Sequence, residues 1–149
     1  MRSDTYKAIA QRLGMATKFA PVPMSELNPK QQQLRRQMYR NQTTDMIRKL
    51  QLSISAKAAE AATWAKRLQS IKGRLDPVWA QLVAKTEADL AQVTTMLARA
   101  EAAAGSLSAD LMPNEAKKAI QPIRDEAMRA SSKLAYGIVS SVVKLEDRA

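Results

Sequence analysis

The chain contains no cysteine and no histidine. Without cysteine it has no disulfide bond, thiolate metal ligand or thiol nucleophile, and without histidine it lacks the commonest general base. Its four glycines leave no glycine-rich phosphate loop, and neighbouring acids such as Glu87 and Asp89 are expected on a solvated helix surface. The sequence therefore predicts no catalytic, metal or cofactor site, and we expect a protein that is not an enzyme.

Aromatic residues account for only 4% of the chain, and no apolar run reaches the length of about 18 residues that a membrane span needs. The first residues do not lead into an apolar segment, so we expect no secretory signal and a cytoplasmic site of synthesis. The most apolar stretch, residues 134–143, fits a packed helix in a core better than a membrane-active segment. Gly137, within that stretch, is expected to allow close approach of a neighbouring helix.

Three stretches of similar length, residues 47–75, 79–107 and 116–145, repeat apolar or small residues at alternating spacings of three and four. This pattern is typical of helices that bury one stripe against partner helices. Asn28 with Pro29, and Asp76 with Pro77, resemble helix starts, so helices are predicted over residues 29–72, 77–104 and 114–147. Interruptions are expected at residues 41–44, which have weak helix propensity, and at Pro122.

These elements predict an all-α fold: an elongated antiparallel three-helix bundle of coiled-coil type, formed by residues 28–149, with a long, basic first helix. The residues predicted to be buried in its core are Ile54, Leu68, Leu90, Leu97, Ile123 and Leu134. Residues 1–27 are predicted to form an N-terminal arm, with a short helix at residues 4–13 followed by an extended segment at Pro21 and Pro23. The apolar arm residues expected to contact another subunit are Met15, Phe19, Val22 and Met24.

The net charge of +10 is unevenly distributed, because residues 1–52 carry +7 of it. Arginine supplies forked donors for phosphate or carboxylate, and tyrosine supplies a ring for stacking. The candidate polyanion- or partner-binding residues are Lys30, Arg35, Arg36, Tyr39, Arg40, Arg48 and Lys49. We expect none of the three arginines at 35, 36 and 40 on the apolar stripe. A nucleic acid, an acidic protein surface and plain solvation all remain compatible with this composition.

The leading functional hypothesis is a non-enzymatic structural or assembly protein: a helical subunit that docks into a larger complex, such as a phage or viral particle or another bacterial assembly. Its expected partners are further copies of the chain or other protein subunits. One alternative is an accessory protein that binds nucleic acid through the basic helical segment at residues 30–49. A second alternative is a helical protein associated peripherally with a membrane.

Overall fold

The computed structural model describes residues 22–149, and within that range it contains helices and turns but no strand. The α-helices are α1 (Pro29–Lys72), α2 (Ala80–Gly105), α3 (Pro113–Lys133) and α4 (Val139–Glu146). A π-helical turn, Leu134–Ile138, joins α3 to α4, so that the two form one continuous rod. Short 3-10 turns precede α1 at Met24–Glu26 and α2 at Pro77–Trp79. The three predicted helices and the all-α bundle are confirmed, with ends shifted by only a few residues.

The predicted start of α1 at Asn28 and Pro29 is confirmed, and a capping box between Asn28 and Gln31 fixes it. The side chain of Asn28 accepts a hydrogen bond from the backbone N–H of Gln31 at 2.8 Å, and the Gln31 side chain accepts one from the backbone N–H of Asn28 at 3.2 Å. Pro29 occupies the first helical position, where its missing N–H costs no helical hydrogen bond. From this start α1 runs for 44 residues without a break.

The break predicted at residues 41–44 is absent, because tertiary contact outweighs weak propensity there. Thr43 is completely buried. Its hydroxyl donates a hydrogen bond of 2.7 Å to the carbonyl of Leu111, in the loop between α2 and α3. On the solvent side, the Gln37 side chain donates to the Asn41 side chain at 2.8 Å, one helical turn away.

The six core residues predicted from the sequence are all buried, with relative exposures between 1% and 8%. They belong to one cluster that runs between the three long helical rods. Small residues alternate with the larger ones along this cluster, including Ala61, Ala100 and Ala130. The small side chains let the helix backbones lie close together, so a core rich in alanine can still exclude water.

Pro122 lies inside α3 but does not divide it. It is exposed, so water can replace the backbone hydrogen bond that proline cannot make. The interruption falls instead at Leu134–Ile138, where the backbone N–H of Val139 bonds to the carbonyl of Leu134, five residues earlier. Such a wide turn holds one residue more than an α-helical turn.

The π turn has a cause in the spacing of the buried residues. Up to Leu134 the buried positions alternate by three and four, but Ala130, Leu134, Ile138 and Val142 are spaced by four each time. An α-helix with that spacing would rotate its apolar face away from the core, and the extra residue in the π turn corrects the rotation. Gly137 is exposed, and a β-carbon placed there would meet nothing within 4 Å. Close helix approach is therefore the wrong explanation for this glycine.

The C-terminal end of the bundle is fastened to α1 by a forked ion pair. Arg67 donates to Glu146 from Nε at 3.0 Å and from Nη2 at 2.6 Å. The guanidinium also lies 4.0 Å from the centre of the Trp64 ring. The hydrogen bond from Arg67 lowers the pKa of Glu146 and raises the pKa of Arg67, because it favours the charged form of each group.

The N-terminal part of α1 extends beyond the rest of the bundle. Thr43 bonds to the loop that joins α2 to α3, and Arg40, one turn earlier, still lies beside Asp110 of that loop. Residues 29–42, about 21 Å long at 1.5 Å per residue, therefore precede the part of α1 that packs against α2 and α3. No residue of α1 before Met46 belongs to the hydrophobic cluster. We call residues 29–42 the overhang of α1.

Candidate docking recess at the end of the bundle

A recess of about 410 Å³ lies where the overhang of α1 passes the loop between α2 and α3. Its wall on α1 is polar and basic, whereas its floor is the loop, which contributes Leu111 and the partly exposed Met112. Met24, from the segment before α1, adds a further apolar side chain. We call this cavity the end recess; the side chains that α1 contributes to it are Gln33, Arg36, Gln37, Tyr39 and Arg40.

The basic side chains reach the end recess because they continue the buried stripe of α1. The alternation of three and four that runs through the core residues of α1 extends backwards without an error. The positions on this extended line are Gln33, Arg36, Arg40, Thr43, Ile47, Leu50 and Ile54. Three of them therefore lie on the core side of α1 but beyond the end of the bundle, where α2 and α3 no longer cover them. Arg36 and Arg40 lie outside the hydrophobic cluster, as expected, although they continue the line of its spacing.

Charge in the end recess comes from two arginines and one carboxylate. Arg40 lies 3.4 Å from Asp110, with both side chains largely exposed at 60% and 77%. An ion pair in such an exposed position is worth little, at most about 1 kcal/mol. Arg36 is exposed and makes no ion pair with a carboxylate of residues 22–149. Both guanidinium groups are therefore available to a ligand that offers better acceptors.

Arg35 does not belong to this surface. Its residue exposure is only 2%, and its guanidinium donates a hydrogen bond to the backbone carbonyl of Val22. The expectation of a polyanion-binding side chain at this position is corrected: Arg35 holds the segment before α1 against the helix. Neighbouring Gln32 assists by donating to the carbonyls of Met24 and Leu27, at 3.1 Å each.

The remaining basic candidates lie apart from the end recess. Lys30, Arg48 and Lys49 are exposed. At about 100° per residue, however, Arg48 is rotated by about 120° and Lys49 by about 220° from Arg36 around the helix axis. Lys49 also pairs with Asp45 on the next turn, at 3.0 Å. The structure thus brings Arg36, Tyr39 and Arg40 together and separates them from the other four candidates.

The described end of the predicted arm contacts its own chain. Val22 and Met24 are half-buried, and the backbone carbonyls of both accept hydrogen bonds from α1. Met15 and Phe19, as well as the short helix predicted at residues 4–13, lie outside the described residues. Subunit contact by the arm stays a prediction for those positions.

Residues 134–143 divide between core and surface. Leu134, Ile138 and Val142 are buried, which agrees with the expected core packing, whereas Tyr136 is 87% exposed on the outer side of the π turn. Between Lys133 and Lys144 the exposed positions carry no charge. This second surface carries no charged group between Lys133 and Lys144, so it gives less information about a partner than the end recess does.

Among residues 22–149, no group of three histidine, cysteine, aspartate or glutamate side chains is placed to hold a metal ion. In the same part of the chain, none of the helices combines the length and apolar character needed to cross a membrane. The loop residues of the end recess have no local pattern in the sequence that marks them, although the backward extension of the three-four spacing marks the α1 wall of the recess. No protein-family model matches this chain, and neither a curated protein nor a solved structure shows significant similarity to it.

Proposed function

We propose that this chain is a non-enzymatic structural subunit that docks into a larger assembly through the end recess and the overhang of α1. The observation that carries the proposal is that the three-four line of buried positions on α1 continues into the overhang at Gln33, Arg36 and Arg40. We call this row of three exposed positions the open seam. Along this line α1 keeps the spacing of a packed helix, but no part of α2 or α3 lies opposite it.

The length of the overhang supports docking. It is about four turns long, and most of the stability of a helix in a protein comes from packing of one face rather than from intrinsic propensity. Within the described residues, the overhang is stabilised by the short segment at residues 22–27 and by the capping box. A partner that packs on the open seam would stabilise the side of the overhang that residues 22–27 do not cover.

The nucleic-acid alternative receives less support from the arrangement of charge. Each phosphate that a protein neutralises changes the slope of log affinity against log salt by about −0.9. Arg36 and Arg40 together would give a slope of only about −2, whereas proteins that bind DNA through electrostatics commonly make about 6–10 phosphate contacts. The other basic candidates face different directions, so they do not extend the same site.

Native size measurement tests the proposal. Extracts of cells that produce the protein would be fractionated by size without denaturant, and the chain located by an antibody. We expect it in a complex much larger than its own 16.4 kDa. We also expect the Arg36→Gln/Arg40→Gln variant to shift to the monomer position while its circular dichroism stays helical. Elution of the unaltered chain as a free monomer would contradict the proposal.

A further inference from the structure

We infer that the end recess and overhang receive an acidic helix of another protein, about four turns long, which lies along the seam of α1 as a bundle helix would. This inference rests on the proposed function and specifies the partner of the same site. It follows from three properties of the open seam: its spacing, its charge and its apolar floor.

The spacing of the seam specifies a helix. Gln33, Arg36 and Arg40 follow the alternation of three and four that positions α1 against α2 and α3 further along. Side chains with this spacing form one row along a helix and fit into the groove of a second helix at a small crossing angle. The row from Gln33 to Arg40 occupies about 10 Å of the overhang. A partner helix of about 14 residues would cover this row and the rest of the overhang.

The charge of the seam specifies acidic residues. Arg36 and Arg40 are one helical turn apart, which matches carboxylates spaced by three or four residues on a facing helix. Within the chain, Asp110 already places a carboxylate 3.4 Å from Arg40, so this guanidinium is accessible to an acid from the side of the recess. Partner carboxylates on the seam would be less exposed than Asp110, and charge-assisted hydrogen bonds strengthen as water is excluded.

The floor of the recess specifies an apolar residue on the same helix. Leu111, Met112 and Met24 line the same recess as the arginines, and methionine side chains adapt to the shape of what they contact. Nucleic acid offers phosphates to the arginines but leaves this apolar floor without a partner. A second copy of the overhang would bring arginine against arginine, which opposes self-association at this site.

Synthetic helices provide the probe. The acidic peptide would have about 18 residues, with leucine at alternating spacings of three and four, glutamate at the flanking positions and alanine elsewhere. A matched peptide would carry lysine in place of glutamate, and a labelled oligothymidine would test for single-stranded nucleic acid. Binding to the full chain would be measured by fluorescence anisotropy at low and at physiological salt.

We expect the acidic peptide to bind the unaltered chain and the lysine peptide to bind at least about tenfold more weakly. The Arg36→Glu/Arg40→Glu variant should bind the acidic peptide about tenfold or more weakly and should bind the lysine peptide more tightly. The reason is that a hydrogen bond to a charged group contributes about a factor of ten to affinity. The matched control, Arg48→Glu/Lys49→Glu, makes the same charge change away from the seam and should alter affinity by no more than about twofold.

Three outcomes would overturn the inference: equal binding of the two peptides, equal losses in the seam and control variants, or tighter binding of oligothymidine than of the acidic peptide. If the glutamate variant loses its helical circular dichroism, Arg36→Gln/Arg40→Gln takes its place and should still weaken the acidic peptide. The native size measurement separates the two proposals. If the Arg36→Glu/Arg40→Glu variant remains in a large complex, the chain is an assembly subunit whose partner docks at another surface.

Discussion

Deletion of Gly137 should leave the bundle folded, although removing one residue from a packed helix normally destroys its register. The reason is the π turn at Leu134–Ile138, which accommodates one residue too many for an α-helix. Without Gly137, the positions that follow move back by one, and the spacing between Leu134, Ile138 and Val142 becomes three and four. The turn can then close as ordinary α-helix with the same side chains facing the core.

The expected change in stability is small because no buried side chain is lost. Gly137 is exposed and a β-carbon at its position would touch nothing, and glycine within a helix costs about 0.5–1 kcal/mol relative to alanine. The free energy of unfolding should therefore change by no more than about 1 kcal/mol, or about 2–4 °C in Tm for a domain of this size.

Deletion of Ala91 is the matched control, because Ala91 is also exposed and small but lies in α2, where the three-four spacing has no error. Every later residue of α2 would rotate by about 100° relative to the earlier ones, turning Val93 and Leu97 out of the core. These two side chains alone account for roughly 3–6 kcal/mol of burial, a large part of the 5–15 kcal/mol that stabilises a typical domain.

Thermal unfolding followed by circular dichroism at 222 nm compares the two deletions. We expect a cooperative transition near that of the unaltered chain for the Gly137 deletion, and a strongly lowered or absent transition for the Ala91 deletion. Equal destabilisation by the two deletions would refute the argument that the π turn compensates for an extra residue in the register.

Three further predictions concern stability. Leu68 is only 1% exposed, so Leu68→Ala should lower the free energy of unfolding, measured with denaturant, by about 2–5 kcal/mol. Leu52 is 59% exposed, so Leu52→Ala should lower it by well under 1 kcal/mol. Similar losses in the two variants would contradict the core assignment. Thr43→Val should cost about 1–3 kcal/mol, because the Leu111 carbonyl loses its donor, and an unchanged unfolding midpoint would show that water replaces that hydrogen bond. The lowered pKa of Glu146 means that the unfolded chain binds a proton more readily, so this group's contribution to stability is present above the ordinary carboxylate pKa and is lost as pH falls through the lowered one. Glu146→Gln should therefore lower Tm at pH 7 and have less effect at pH 2, and an equal loss at both would contradict this linkage.

The bundle was predictable from the sequence because its helices obey local rules. Asn28 and Pro29 mark the start of α1. The repeating spacing of apolar residues correctly identifies buried core residues such as Ile54 and Leu90. Propensity was the weaker guide: residues 41–44 remain helical because Thr43 bonds to a loop 68 residues away. A contact between positions so distant in the chain has no local pattern in the sequence.

The candidate site was predictable only in part. The concentration of positive charge pointed to α1, but charge alone did not separate Arg36 and Arg40 from Arg35, which is buried against the carbonyl of Val22. The spacing holds more information: extended backwards from Ile47, it selects positions 40 and 36 and passes over 35. What the sequence does not reveal is where α2 and α3 end relative to α1, and that offset leaves those two positions open.

The π turn and the end recess follow from one physical requirement, the alignment of buried positions along each rod. In the α3–α4 rod the spacing contains one residue too many, and the backbone widens locally to keep Ile138 and Val142 in the core. In α1 the spacing contains no error, but it continues for about four turns before Ile47, the first apolar position on the line. Arginine replaces apolar residues there while the spacing is kept. The open seam therefore still fits a packed helix, but it requires acidic rather than apolar side chains on that helix. A helix that offers carboxylates satisfies both conditions.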